Sequence, residues 1–186
     1  MVGQCQNAIT VIVNYFFQFF IIYYLLYILN ITSNIDLKTY LMFMGVDNVV
    51  IRSKDNFENT YAKNGCYIIN LADANEDGSH WTALYIKNDM FIYFDSYGLA
   101  PPKHIQAFTK NKTLIYNTDH IQSFDSTACG YYCVLFLYHF NNLSNDYKTI
   151  KQYGYALNKF NQPFDLNNKE KNDEILRAKL KNISML

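Results

Sequence analysis

An uncharged apolar run from Ala8 to Ile31, AITVIVNYFFQFFIIYYLLYILNI, divides this chain into two parts of different texture. It is long enough to cross a bilayer as a helix, for which ~20 apolar residues suffice. Read as an anchor, it sets Tyr23, Tyr24 and Tyr27 at the C-terminal interface. The first Lys and Arg all lie beyond it, which puts the remainder of the chain in the cytosol. Two other readings compete: a buried or partner-docking helix, which Asn14, Gln18 and four tyrosines favour, and an extension that is not in the native product. A cleaved signal peptide is disfavoured because MVGQCQN carries no basic residue, and Val2 excludes myristoylation. The expected division is therefore 1–32, a hydrophobic segment with membrane contact through 8–31, and 33–186, one folded domain of ordinary size.

Composition narrows the function classes. Half of the residues are hydrophobic and 17% are aromatic, which excludes a disordered chain. Sixteen basic side chains balance sixteen acidic ones without a long basic run, so no clear nucleic-acid site is expected. Four cysteines are too few for a disulfide-stapled secreted domain, and none are spaced as in a zinc ribbon, so reduced thiols are expected.

After Thr32 the pattern reads as α+β. Ser33 or Asn34 caps a short helix, IDLKTYLMFM, that Gly45 ends. CYIINL is a buried strand; HWTALYIK and MFIYFD, joined at Asn88-Asp89, form an antiparallel hairpin. KHIQAFTK is a short helix and TLIYN a further strand. The segment from about Ala128 to Phe140 is apolar on nearly every face and is expected to be a buried central helix. Amphipathic helices over about 147–160 and 169–183 complete the domain.

Only four histidines are present, and His80 is the outstanding candidate base. It opens a strand after the loop NEDGS, with Trp81 beside it to shield one face. Asp95 closes the partner strand, so a short turn makes the two neighbours, and a carboxylate there fixes the imidazole tautomer and favours its protonated form. Each has a bland alternative, a structural histidine and a turn-forming aspartate. Cys129 begins the buried helix, where free backbone N–H groups and the helix dipole favour a thiolate. Gly130 beside it allows close approach of a substrate backbone. Cys133, one turn deeper, and Cys5 and Cys66 read as inert buried thiols. Gln122 is placed to complete an oxyanion hole with the Cys129 N–H. Base, orienter, oxyanion donor and nucleophile together are far more specific than any one of them.

The motifs GSHW, YFDSYG, Gln122 and ACGYYCVLFLYHF, in that order, resemble the adenovirus-type cysteine proteases, related to Ulp-like SUMO and ubiquitin-like proteases. The likeness runs from about Ile35 to Phe140. CYIINL, FDSYGLAPP and YNTDHIQ more closely resemble proteases of virophages and Polinton-like elements, which process capsid proteins during virion maturation. The resemblance implies a papain-like or Ulp-like fold, a central helix against a mixed, mainly antiparallel sheet. It implies Cys129 as nucleophile, His80 as base and acid, Asp95 as third member, Gln122 as oxyanion donor and Trp81 as a cleft wall. The implied activity is a thiol endopeptidase cleaving viral capsid precursors at Gly-rich sites, in the virion or the host cytoplasm. The adenoviral enzyme has Glu where Asp95 stands and uses a peptide cofactor and DNA. No residues here match those activators, so no cofactor is expected.

Other readings stay open: a ubiquitin-like-modifier protease of the same fold, and a membrane-tethered binding protein with an inactive protease fold. A zinc site from Cys129, Cys133 and His139 is weaker, since these would have to leave a buried helix and a fourth ligand is not visible. Truncation before Ser33 is expected to leave a soluble, folded protein, checked by size exclusion and circular dichroism; aggregation would show that the apolar segment belongs to the core.

Overall fold

A computed structural model of the chain describes residues 33–58, 63–143 and 145–184. The apolar run 8–31 and its anchor reading, together with Cys5, lie outside the described residues. Among those described, no helix is long and apolar enough to cross a membrane.

Helix α1 spans Asn34–Phe43. Ser33 caps it reciprocally: the Ser33 hydroxyl accepts from Asp36 N, and the Asp36 carboxylate accepts from Ser33 N. Such a cap stabilises a helix by about 1 kcal/mol. The helix ends where Gly45 adopts a positive φ of 73°. Val46 N then reaches Leu41 O and Gly45 N reaches Met42 O, satisfying two terminal carbonyls.

Five strands form one sheet in chain order: β1 Val49–Ser53, β2 Gly65–Asn70, β3 Trp81–Lys87, β4 Met90–Phe94 and β5 Thr113–Tyr116. The sheet is mixed, as expected. Its two inner pairings are antiparallel and its two outer ones parallel, so antiparallel pairing does not dominate. The correction comes from β1, which the sequence pattern left unassigned, and from β5, which returns parallel to β4 through helix α3, Lys103–Phe108. Strand β1 is only half-buried and runs directly into helix α2, Lys54–Glu58, whose buried anchor is Phe57. Strand β1 offers only the short run Val49 to Ile51 before Arg52, and α2 is five residues long with one apolar side chain. Asn88 and Asp89 both take positive φ, 53° and 62°, the conformation a two-residue hairpin turn requires.

Strands β2 to β4 read as nearly continuous apolar runs because both faces of the sheet are covered. On one face Tyr67, Ile69, Leu84, Ile86, Phe91 and Tyr93 pack with Phe57 and Ile105 of α2 and α3. On the other lies α4, Cys129–Asn141, where Phe94 stacks on Phe136 at 4.7 Å and Tyr85 meets Phe140. Helix α5, Ile150–Asn161, covers α4 through Phe160 against Phe136, and α6, Asn172–Ser184, through Asp173, which accepts from the Tyr132 hydroxyl. Both start later than their sequence pattern suggests. Thr149 caps α5 with Gln152, and a single 3-10 turn occupies Lys169–Lys171 before α6.

The chain leaves β4 through a tight turn in which Gly98 N donates to Asp95 O at 2.8 Å. Gly98 has φ +69°, and a Cβ there would lie 2.7 Å from Thr118 O and 2.8 Å from the Asp119 carbonyl carbon. A side chain would strain the turn and push the backbone of residues 118 and 119. Gly98→Ala is expected to lower unfolding free energy by about 2 kcal/mol or more. Denaturant unfolding followed by fluorescence of Trp81, the single tryptophan, checks this; an unchanged midpoint would show that the loop yields freely.

Candidate active site

The hairpin register sets the first two members of the site. Lys87 pairs with Met90 and Ala83 with Phe94, and continuing that register past the ladder places His80 opposite Tyr97. Asp95 is then the diagonal neighbour of His80, within reach of a long side chain. His80 Nε2 lies 2.9 Å from Asp95 Oδ1, with the two side chains 15% and 1% exposed. The same carboxylate oxygen accepts from Tyr97 N at 2.8 Å. Tyr97 stacks its ring on the imidazole, centroids 4.7 Å apart and planes 24° from parallel. The ring over His80 is thus Tyr97, whereas Trp81, expected to shield one face, is a buried residue whose carbonyl accepts from the Cys133 thiol.

The Cys129 side chain lies close enough to the His80 imidazole to help raise its pKa. Cys129 is the first residue of α4, buried but for 8% of its surface. At that position its backbone N–H and that of Gly130 have no acceptor within the helix. Gly130 itself is buried in the first turn. Burial alone would lower the His80 pKa, but Asp95 and Cys129 outweigh it and raise the group to about 9. A stacked tyrosine face adds attraction for the cationic ring.

Gln122 is fully buried in the loop that leads to α4. Its Nε2 donates to Ser126 O at 2.7 Å, and its Oε1 accepts from the Ser96 hydroxyl at 2.5 Å. Ser126 Oγ in turn accepts from Ala128 N at 3.1 Å, bracing the residue before Cys129. All four polar residues singled out by sequence therefore belong to one set of linked elements: His80 to Asp95 and Cys129 directly, and Gln122 through Ser96, the neighbour of Asp95.

Three contributors escaped the sequence reading. Asn117 follows β5 and clamps Asp95 from both sides of its peptide, accepting from Asp95 N at 2.9 Å and donating to Asp95 O at 2.7 Å. Its signal was the parallel register of β5 beside β4, in which Tyr93 pairs with Tyr116. Tyr97 was legible only by extending the hairpin register. Ser96 gave no signal beyond its place after Asp95.

Of the other histidines, His120 meets the Tyr97 ring edge-on, centroids 5.6 Å apart. Burial pushes Cys66 up to about 12 and Cys133 well above its ordinary value, the latter helped by the nearby Cys129 and Asp95. His139 is held below its ordinary value, chiefly by burial. Among the described residues, no three His, Cys, Asp or Glu side chains converge as a metal-binding group.

No family model matches the chain. In sequence it resembles adenoviral proteases. The protease of Bovine adenovirus C serotype 10 is 32% identical over 97 residues, 42% of this chain and 50% of that protein. That of Bovine adenovirus 2 is 29% identical over 97 residues, 43% of this chain and 47% of that protein. The matched region thus spans about half the length of these curated relatives. Among solved structures, a de-sumoylating protease aligns at a TM-score of 0.44 with 14% identity, over 87% of this chain and 84% of that one. An ASFV protease aligns at 0.33 with 18% identity, over 50% and 43%.

The charge of His80 has a consequence for stability. Its pKa is raised on folding from 6.5 to about 9, so the stabilisation from its partners is fully present below pH 6.5 and is lost as pH rises through about 9. An NMR titration of the His80 ring is expected to show a midpoint well above 6.5 that falls in Asp95→Asn. The stability gap between the two proteins should narrow over the same pH window. A wild-type midpoint at or below 6.5 would contradict the pairing.

Proposed function

We propose that this chain, similar over part of its length to adenoviral proteases, is a cysteine endopeptidase that cleaves viral precursor proteins. The observation that carries the reading is an imidazole held between a buried carboxylate and a thiol at a helix N-terminus. In this mechanism the Cys129 sulfur, its proton held by His80, attacks the scissile carbonyl carbon. The negative charge that develops on the carbonyl oxygen is met by the Cys129 N–H and by Gln122 Nε2. His80 then gives its proton to the leaving amine as the C–N bond breaks, leaving a thioester on Cys129. Water, deprotonated by His80, attacks that thioester; the C–S bond breaks, the acid product leaves and the thiol is restored. Asp95 holds the ring through Nε2 in both steps.

The resemblance assigns Trp81 to the substrate cleft, Gly130 joins it by its place beside Cys129, and a narrow cleft between Trp81 and the helix N-terminus would favour Gly-rich sites. The substrates suggested by the resemblance are capsid precursors cleaved during virion maturation, in the virion or the cytoplasm.

Cys129→Ala is expected to reduce processing of co-expressed capsid precursor by on the order of 10⁴-fold or more. Processing at the wild-type rate would overturn the assignment. Peptides in which the Gly residues flanking the cleaved bond become Leu should be poor substrates, and equal cleavage would remove the narrow-cleft argument. A panel of Gly-Gly-linked modifier conjugates separates this reading from a modifier protease: cleavage of the conjugates but not of the precursor would favour the latter.

A further inference from the structure

The Gln122 side chain is gripped at both ends, and the grip determines which way its amide faces. Ser126 O, a pure acceptor, lies 2.7 Å from one end, so that end must be the NH2. The other end is then Oε1, also a pure acceptor, and the Ser96 hydroxyl 2.5 Å away must be the donor. Ser96 holds the backbone of the same residue as well. Its carbonyl accepts from Ile121 N at 2.9 Å and from Gln122 N at 3.0 Å. Both Ser96 and Gln122 are fully buried, so no water competes for these bonds.

The amide has two N–H groups. One is used by Ser126 O; the only other contact of Nε2 is a 3.4 Å approach to Ser126 Oγ, which already accepts from Ala128 N. The second N–H is therefore weakly engaged, as an oxyanion donor in the resting enzyme would be. The terminal torsion of a glutamine is soft, so the direction of that N–H depends on its neighbours. A hydrogen bond into Oε1 also draws electron density from the nitrogen, which strengthens the N–H as a donor.

We infer that Ser96 is a positioning residue for the reaction, fixing and polarising the Gln122 amide toward the oxyanion while its neighbour Asp95 orients His80. The inference rests on the assignment of Gln122 as oxyanion donor. It connects the two halves of the site: adjacent residues at the end of β4 place the base and the charge-stabilising group on a single turn.

The test is a kinetic cycle in the full chain with a Gly-containing precursor peptide. Ser96→Ala is expected to lower kcat about tenfold with KM little changed, a fraction of the ~10² to 10³ ascribed to one oxyanion donor. Ser96→Thr, which keeps the hydroxyl, should restore most of kcat. Alkylation of Cys129 by iodoacetamide forms no oxyanion, so its rate should be the same in Ser96→Ala as in wild type. In a Gln122→Ala background, Ser96→Ala should cost little further. An unchanged kcat in Ser96→Ala would overturn the inference, as would a tenfold loss that persists when Gln122 is Ala. Slowed alkylation would overturn it too, by placing the defect in the thiol–imidazole pair. If Gln122→Ala alone keeps full kcat, the oxyanion assignment fails and the role of Ser96 fails with it. If Cys129→Ala cleaves at the wild-type rate, the protease reading itself is wrong.

Discussion

The site depends on a helix with no polar face along most of its length. Helix α4 is enclosed by the sheet, by α1 through Tyr40 against Tyr131, and by α5 and α6, and it has nowhere to move without opening a cavity. The Phe94–Phe136 stack matters most, because Phe94 is the residue before Asp95. The same ring that fills the core thereby sets the separation between the strand end bearing the carboxylate and the helix carrying the thiol. Truncating a buried phenylalanine costs about 3 to 5 kcal/mol, so the spacing is held by a large fraction of the stability of an ordinary domain. A shift of roughly 1 Å at a reacting group can cost about 100-fold in rate, which makes a rigid mount worth having.

Polar groups at the sheet's end then refine what the core places. Asp95 is almost wholly buried, and a buried charge needs several donors to be tolerable. Its Oδ1 has two, the imidazole and Tyr97 N, while Asn117 satisfies its backbone N–H and carbonyl together. Neither the side chain nor the peptide of Asp95 is free to rotate. The Ser96–Gln122 contact extends this network to the loop before Cys129, and Gly98 makes the fold-back possible by carrying no Cβ where residues 118 and 119 pass.

The legible parts of this arrangement were those in which cause and effect are close along the chain. Asn88-Asp89 is a local turn signal, and once the hairpin was assigned, the nearness of His80 and Asp95 followed from strand geometry alone. The apolar run after Ala128 announced its own burial, and the place of Cys129 at its start followed with it. Asn117 was not legible, since its role depends on β5 pairing parallel with β4, a non-local contact that no periodicity within either strand reports. Strand β1 and helix α2 were missed for a different reason: they are short, half-exposed, and owe their form to the neighbouring β2 and to the single anchor Phe57 rather than to an amphipathic pattern. Tyr97 lies between these cases, because its position opposite His80 was implicit in the hairpin but needed the register carried beyond the last paired residues.

The forces on His80 also suit a ring that, in the proposed mechanism, acts first as acid and then as base. Burial pulls its pKa down, whereas Asp95 and Cys129 push it up, and in the resting site the upward forces win. The contribution from Cys129 lasts only while the sulfur can bear charge or accept a hydrogen bond strongly. Under the proposed mechanism it disappears when the thioester forms, while burial and Asp95 remain. The proton affinity of His80 must therefore fall between the two half-reactions. Having given its proton to the departing amine, the ring holds a proton less tightly than in the resting site, and in the second step it takes one from water and releases it to the departing thiolate. In the proposed mechanism the carboxylate supplies the constant part of that balance and Cys129 the part that changes, so acylation of Cys129 would itself reset the base for the second step.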